Sequence, residues 1–136
     1  MTIINKVSSK TLMPGITAVP DVVDAPTIGT ATDVGTGRAY NDGAATVTFT
    51  PAVSGGTATT YTAISTPGSL TGTGASSPVT VAGLSSATSY TFKVYGTNTS
   101  GTWSAVQSSA SGSITATTVP QAPTIGTFTE IGRAHV

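Results

Sequence analysis

Cysteine is absent from the 136 residues, which excludes a disulfide framework, a thiolate metal site and a cysteine nucleophile, and leaves the chain compatible with any redox compartment. Charge is scarce as well. Five Lys and Arg balance five Asp and Glu, charged residues make up 7% and the formal net charge is zero, against about 25% charged residues in an average soluble domain. Each contact to a nucleic-acid phosphate or an anionic membrane surface uses a cation, so electrostatic capture of either has no basis here. The one histidine, His135, is too few for an imidazole-bound zinc site. Long apolar runs are missing too: none approaches the roughly 18 residues of a membrane-spanning helix. Lys6 and Lys10 are followed by Leu12-Met13-Pro14-Gly15, not by the apolar stretch of about 7–15 residues that follows the charges of a signal peptide.

What is present is Thr, Ser, Gly and Ala, with 38% hydrophobic residues and a mean hydropathy of +0.20. This composition suits a core of small side chains joined by short turns. The length allows one globular domain with short extras and excludes a multidomain enzyme. Helical periodicity occurs nowhere, whereas alternation with period two recurs. Ala45, Val47 and Phe49 alternate with Thr46, Thr48 and Thr50 after the turn signal Asn41-Asp42-Gly43. Tyr61, Ala63 and Ser65 alternate with Thr62, Ile64 and Thr66 until Pro67-Gly68. Val79 and Val81 make a short strand, and Tyr90, Phe92 and Val94 alternate with Thr91, Lys93 and Tyr95 over the longest one. Residues 105–117 offer a last, weakly patterned strand with Val106 and Ile114. Strand-like segments separated by Gly, Pro and Ser turns predict an all-β domain.

A repeat frames this domain. Ala25-Pro26-Thr27-Ile28-Gly29-Thr30 recurs as Ala122-Pro123-Thr124-Ile125-Gly126-Thr127, an offset of 97 from position 25 to position 122, and the same offset carries Thr32-Asp33-Val34-Gly35 onto Thr129-Glu130-Ile131-Gly132. That spacing exceeds a solenoid repeat of about 20–50 residues and suits an array of sandwich domains of about 100 residues each. The organisation expected is an arm over residues 1–24 with a short strand at Thr2 to Ile4, a domain over 25–118, and a linker plus the truncated start of a second copy over 119–136. The natural protein is expected to continue. For residues 130–136 two alternatives stand: translation of a sequencing-adapter oligonucleotide, or a divergent second copy in which Gly132-Arg133-Ala134 matches Gly37-Arg38-Ala39 after a two-residue deletion.

Residues 25–118 resemble a fibronectin type III domain of the bacterial and phage kind. The residues that carry the resemblance are the Ala25-Pro26 opening, the segment Gly83-Leu84-Ser85-Ser86-Ala87-Thr88-Ser89-Tyr90-Thr91-Phe92-Lys93-Val94, with Leu six residues before Tyr, and Asn98 with Gly101 before the last strand. Phe49 stands where the family often has Trp, and Ser86 where Pro is common. The resemblance implies a seven-stranded fibronectin type III-like (immunoglobulin-like) β-sandwich. Leu84, Tyr90, Phe92 and Phe49 would then be structural, with the Tyr90 hydroxyl bonded to a backbone acceptor a few residues upstream as a tyrosine corner. It also implies a non-catalytic structural or display module of a virion, in a phage tail or capsid decoration, or of a cell-surface protein, with weak adhesion to carbohydrate or protein. Its partners would be neighbouring repeats or virion proteins and host-surface glycans, with no nucleic acid, membrane insertion or cofactor. The alternative is an extracellular accessory spacer of a secreted bacterial polysaccharide-degrading enzyme.

The chemistry-bearing residues fit that expectation. The carboxylates are Asp21, Asp24, Asp33, Asp42 and Glu130, and no two are placed as the paired acids of a cleft. Asp33 and Asp42 flank a turn region, where Asp is favoured for local hydrogen bonding to backbone; with Asn41 they supply oxygens of the kind calcium takes, without the spacing of a known loop. Ser and Thr abound without a base to activate them. Gly72-Thr73-Gly74 lacks the Lys and helix of a phosphate cradle and reads as a turn. The candidate binding surface is therefore aromatic: Trp103, Tyr95 and Tyr40, whose ring faces suit stacking on sugars or protein. The competing role for Trp103 is to cover the open end of the core, and for Tyr95 to cover the outer sheet. No catalytic, cofactor-binding or metal-ligating residue is assigned.

Overall fold

The structure is a computed structural model that describes residues 22–98, 106–129 and 132. The expected strand at Thr2 to Ile4, Trp103 and most of residues 130–136 lie outside the described residues. Within the described residues the chain forms seven strands: β1 (Thr27–Asp33), β2 (Gly43–Thr50), β3 (Thr60–Thr66), β4 (Thr71–Gly74), β5 (Val79–Leu84), β6 (Ser89–Thr97) and β7 (Ile114–Thr115). They pair antiparallel into a three-stranded sheet, β1-β2-β5, and a four-stranded sheet, β4-β3-β6-β7. The chain is thus an all-β sandwich of the immunoglobulin and fibronectin type III-like class.

The period-two alternation explains the layering, because one face of each strand must leave water. Ala45, Val47 and Phe49 of β2 and Val79, Val81 and Leu84 of β5 face Tyr61 and Ala63 of β3 and Tyr90, Phe92 and Val94 of β6 in one core. Thr48 and Thr50 point to solvent. Phe49 and Tyr61 meet across the two layers with ring centroids 4.7 Å apart and planes tilted by 45°. Burying each Val, Leu or Phe contributes about 1.5–3 kcal/mol, and Ala45 and Ala63 are fully buried in the same core. At the edge where β4 turns toward the other sheet, Gly72 is required: a β-carbon there would collide with the Thr80 carbonyl of β5.

Three ladders are irregular: between β2 and β5 the register steps from Gly43 opposite Leu84 to Ala44 opposite Ala82, and at the other two hydroxyls repair the break. In β1 the register runs from Ile28 opposite Phe49 to Ala31 opposite Val47, three residues on one strand against two on the other, a β-bulge. Thr48 Oγ1 fills it, accepting the Thr30 N–H at 2.8 Å and donating to the Thr30 carbonyl at 3.1 Å. The last strand is shorter than expected. Only Ile114 and Thr115 pair regularly, with Tyr90 and Ser89, and Val106 is exposed. Upstream, Ser108 and Ser111 attach the chain to β6. Their N–H groups donate to Val94 O and Phe92 O, both at 2.8 Å, but the return bonds end on side chains: Val94 N–H on Ser108 Oγ at 2.9 Å and Phe92 N–H on Ser111 Oγ at 3.0 Å. Each hydroxyl donates in turn to the next carbonyl, Ser109 O or Gly112 O, at 2.8 Å. Three residues therefore advance against two of β6, the same count as in the β1 bulge.

The Tyr90 ring is buried beside Leu84 in the core, and its hydroxyl reaches back five residues. The partner corrects the expectation: it is a donor, the Ser85 N–H at 3.0 Å, and the phenol oxygen accepts. Removing that oxygen leaves a partly buried amide unpaired. Tyr90→Phe is expected to lose about 1–2 kcal/mol, seen as a lower urea midpoint at unchanged slope. An unchanged midpoint would remove the role given to this bond.

Candidate functional site

The outward face of the four-stranded sheet is built by the residues that alternate with the core. Register sets Tyr95 beside Thr62, and Thr62 beside Thr73, in one cross-strand row; Lys93, Ile64 and Thr71 form the next. Tyr95, Thr62 and Ile64 are half-buried and Thr71, Thr73 and Lys93 exposed. The face is hydroxyl-rich, carries one aromatic ring in a row of threonines, and has Lys93 as the only charged residue on these two rows.

Tyr40 lies elsewhere. It belongs to the connection between β1 and β2, residues 34–42, at the end of the sandwich where β5 also hands over to β6. Asn41, with φ of 59°, accepts the Ser86 N–H on its side-chain oxygen at 3.0 Å and so ties those two connections together. Tyr95 sits toward the opposite end of β6, two residues from Thr97, which pairs with Thr60 at the start of β3. Tyr40 and Tyr95 are thus not brought together on one surface. Leu84, Tyr90, Phe92 and Phe49 are all interior.

The described carboxylates are each engaged in holding backbone or a neighbouring side chain, at separate places. Asp24 accepts the Ser54 hydroxyl at 2.7 Å. Asp42 pairs with Arg38 at 2.8 Å, both exposed, a pair worth about 0–1 kcal/mol. Asn41 is spent on Ser86, so the three oxygen-bearing residues weighed for calcium do not converge. Among the described residues no group of three or more His, Cys, Asp or Glu comes together.

Asp33 has the longest reach. Besides the local Gly35 N–H at 3.2 Å, it accepts both the amide and the hydroxyl of Thr117, closing the end of β1 onto the segment that follows β7. Sequence proximity pointed to the local turn bond alone; nothing in the spacing marks a partner in the last part of the domain. Partial burial works to raise the carboxyl, but the hydrogen bonds from Thr117 and Gly35 outweigh it and leave the group below its ordinary value of 3.8. The other residues missed by the alternation argument are Ser108 and Ser111. Their signal is a spacing of three, continued by Ile114, where a paired strand shows two.

No protein-family model matches the chain, and neither does any curated protein. Among solved structures, the chain is similar to one described as "Titin kinase and its flanking domains", with 25% identity and a TM-score of 0.52 over 69% of this chain and 17% of that one. The chain therefore spans less than a fifth of that protein, and the likeness is one of sandwich fold.

A carboxylate with a depressed folded pKa adds stability above its unfolded pKa of about 3.9, and that stability is lost as pH falls through the lower folded value. Asp33→Asn, which removes the charge and keeps the shape, is accordingly expected to be less stable than the parent at pH 7. The gap should close as pH falls below about 4 and through the lower folded value, where the parent carboxyl is itself protonated. Urea unfolding of both proteins across that range checks this; a gap independent of pH would deny the charge its role.

Proposed function

We propose that this chain is a non-catalytic spacer and display module, one member of a tandem array of sandwich domains on the surface of a virion, with weak adhesion through its outer sheet face as a secondary property. The observation that carries the proposal is where its scarce charge goes. Asp24, Asp33 and Asp42 are each engaged in closing a loop or a strand end, so the polar chemistry of the described domain is used to hold shape. General acid-base or nucleophilic work needs such groups to converge on a reacting atom.

The array half of the proposal is supported by the second copy of the opening motif. In the first copy Ile28 packs against the core and Ala31 is part of it. Their counterparts at the same offset, Ile125 and Phe128, are each 90% exposed. Apolar side chains in that pattern gain their partners when a second β2-type strand is supplied. The virion setting rests on the resemblance of residues 25–118 to phage-borne domains. The outer face is offered for adhesion because Tyr95 lies among hydroxyls of Thr62 and Thr73, a surface able to stack against and hydrogen-bond a sugar without charge.

Immunogold labelling with an antibody raised against residues 25–118 is expected to decorate intact particles purified from the source. Label found instead with a secreted polysaccharide-degrading activity, and absent from particles, would replace this proposal with the accessory-module alternative.

A further inference from the structure

In a tandem array, the repeat offset places the meeting of one domain with the next at a single residue. Val119 is the counterpart of Val22 at the offset of 97 that relates the two copies. In the first copy Val22 marks the entrance to the sandwich. Its carbonyl accepts the Gly56 N–H at 2.9 Å, and Val23 beside it bridges to Gly55 and is buried. The entrance thus lies against the connection between β2 and β3, residues 51–59. Val119 lies at the other end of the same sandwich: its N–H donates to Arg38 O at 2.9 Å, in the connection between β1 and β2. One repeat position therefore has its carbonyl bonded by the domain that follows it, as seen at Val22, and its N–H bonded by the domain that precedes it, as seen at Val119.

We propose that in the array these two bonds belong to one residue, so that Val119 is shared by consecutive sandwiches and the exit end of one domain seats against the entrance end of the next with no free linker between them. The inference rests on the tandem reading above and adds the geometry of the joint. Both ends carry the apolar side chains such seating covers: Val34 and Tyr40 are 44% and 45% exposed at the exit, and Val53 is fully exposed at the entrance. Opposed ends of a domain with apolar side chains on each make a heterologous, head-to-tail contact that extends a chain and does not close it. Pro120, the counterpart of Val23, has no N–H and a fixed φ, which limits the freedom of the residue immediately after the joint. Tyr40, considered above for ligand binding, acquires a structural use.

The test is a two-domain chain in which a second copy of residues 25–118 follows Gln121, so that the natural segment 119–121 joins the copies in register. A sister chain carries Gly-Ser-Gly between Thr118 and Val119. Residual dipolar couplings read the orientation of each domain. The expected result is two folded domains with one common alignment tensor in the uninterrupted chain, and separate tensors, the smaller reduced by motion, in the chain with the insert. Two folded domains that align independently without the insert would overturn the shared joint while leaving the tandem reading intact. A second copy that fails to fold would remove the tandem reading and the joint with it.

Discussion

Wherever a strand ladder breaks, a buried backbone amide loses the carbonyl it would have met, and leaving it unpaired costs about 1–3 kcal/mol. This sandwich breaks its ladders repeatedly and, at the β1 bulge and along the segment before β7, meets that constraint with hydroxyls. Thr48 closes the bulge of β1. Ser77 accepts the Phe49 amide at the end of β2 at 2.9 Å. Buried Ser65 accepts the Leu70 N–H and donates to Pro67 O in the turn from β3 to β4, both at 2.9 Å. Ser108 and Ser111 hold the last segment on β6. A hydroxyl is small, uncharged, and both donor and acceptor, so it enters the interior without the solvation penalty of an ion. Among the described residues no buried side-chain nitrogen or oxygen lacks a partner. The low charge and high Thr and Ser content of the chain are in this sense one structural solution.

That solution bears on function. Among the described residues the buried polar side chains all have partners, and the carboxylates Asp24, Asp33 and Asp42 are occupied at the ends and edges of the domain. Among the described residues, the outward face of the four-stranded sheet is threonine-rich with Tyr95, Ile64 and Lys93, and the two ends carry a little apolar surface. Such a body is suited to spacing and contact. It also explains how a domain without disulfides keeps its ends closed: Asp33 with Thr117 at one end, and Val22 and Val23 with Gly55 and Gly56 at the other.

The interior of β2, β3, β5 and β6 was legible because alternation with period two follows directly from strand geometry, and the burial of Val47, Phe49, Tyr61, Val81, Phe92 and Val94 matches it residue by residue. Tyr90 was legible through its place six residues after Leu84, although the polarity of its hydrogen bond was not, since a phenol oxygen donates and accepts equally well. The segment before β7 was poorly legible for a specific reason: Ser108 and Ser111 advance three residues for every two of β6, and that spacing blurs the alternation on which a strand is recognised. Asp33 was seen as a turn residue because its Gly35 contact is local, while its partner Thr117 is 84 positions away and carries no motif. Of the aromatic candidates, ring chemistry was readable but not location, and Tyr40 and Tyr95 prove to sit on different parts of the body.

The substitution of hydroxyls for backbone carbonyls is most directly measured by native-state hydrogen exchange in Ser108→Ala and Ser111→Ala. Val94 should lose amide protection in the first and Phe92 in the second, each by about tenfold to a hundredfold for 1.4–3 kcal/mol, with Tyr61 and Val47 amides changed only by any loss of global stability. Protection at Val94 and Phe92 that survives both substitutions, or that falls equally at every amide, would contradict the account.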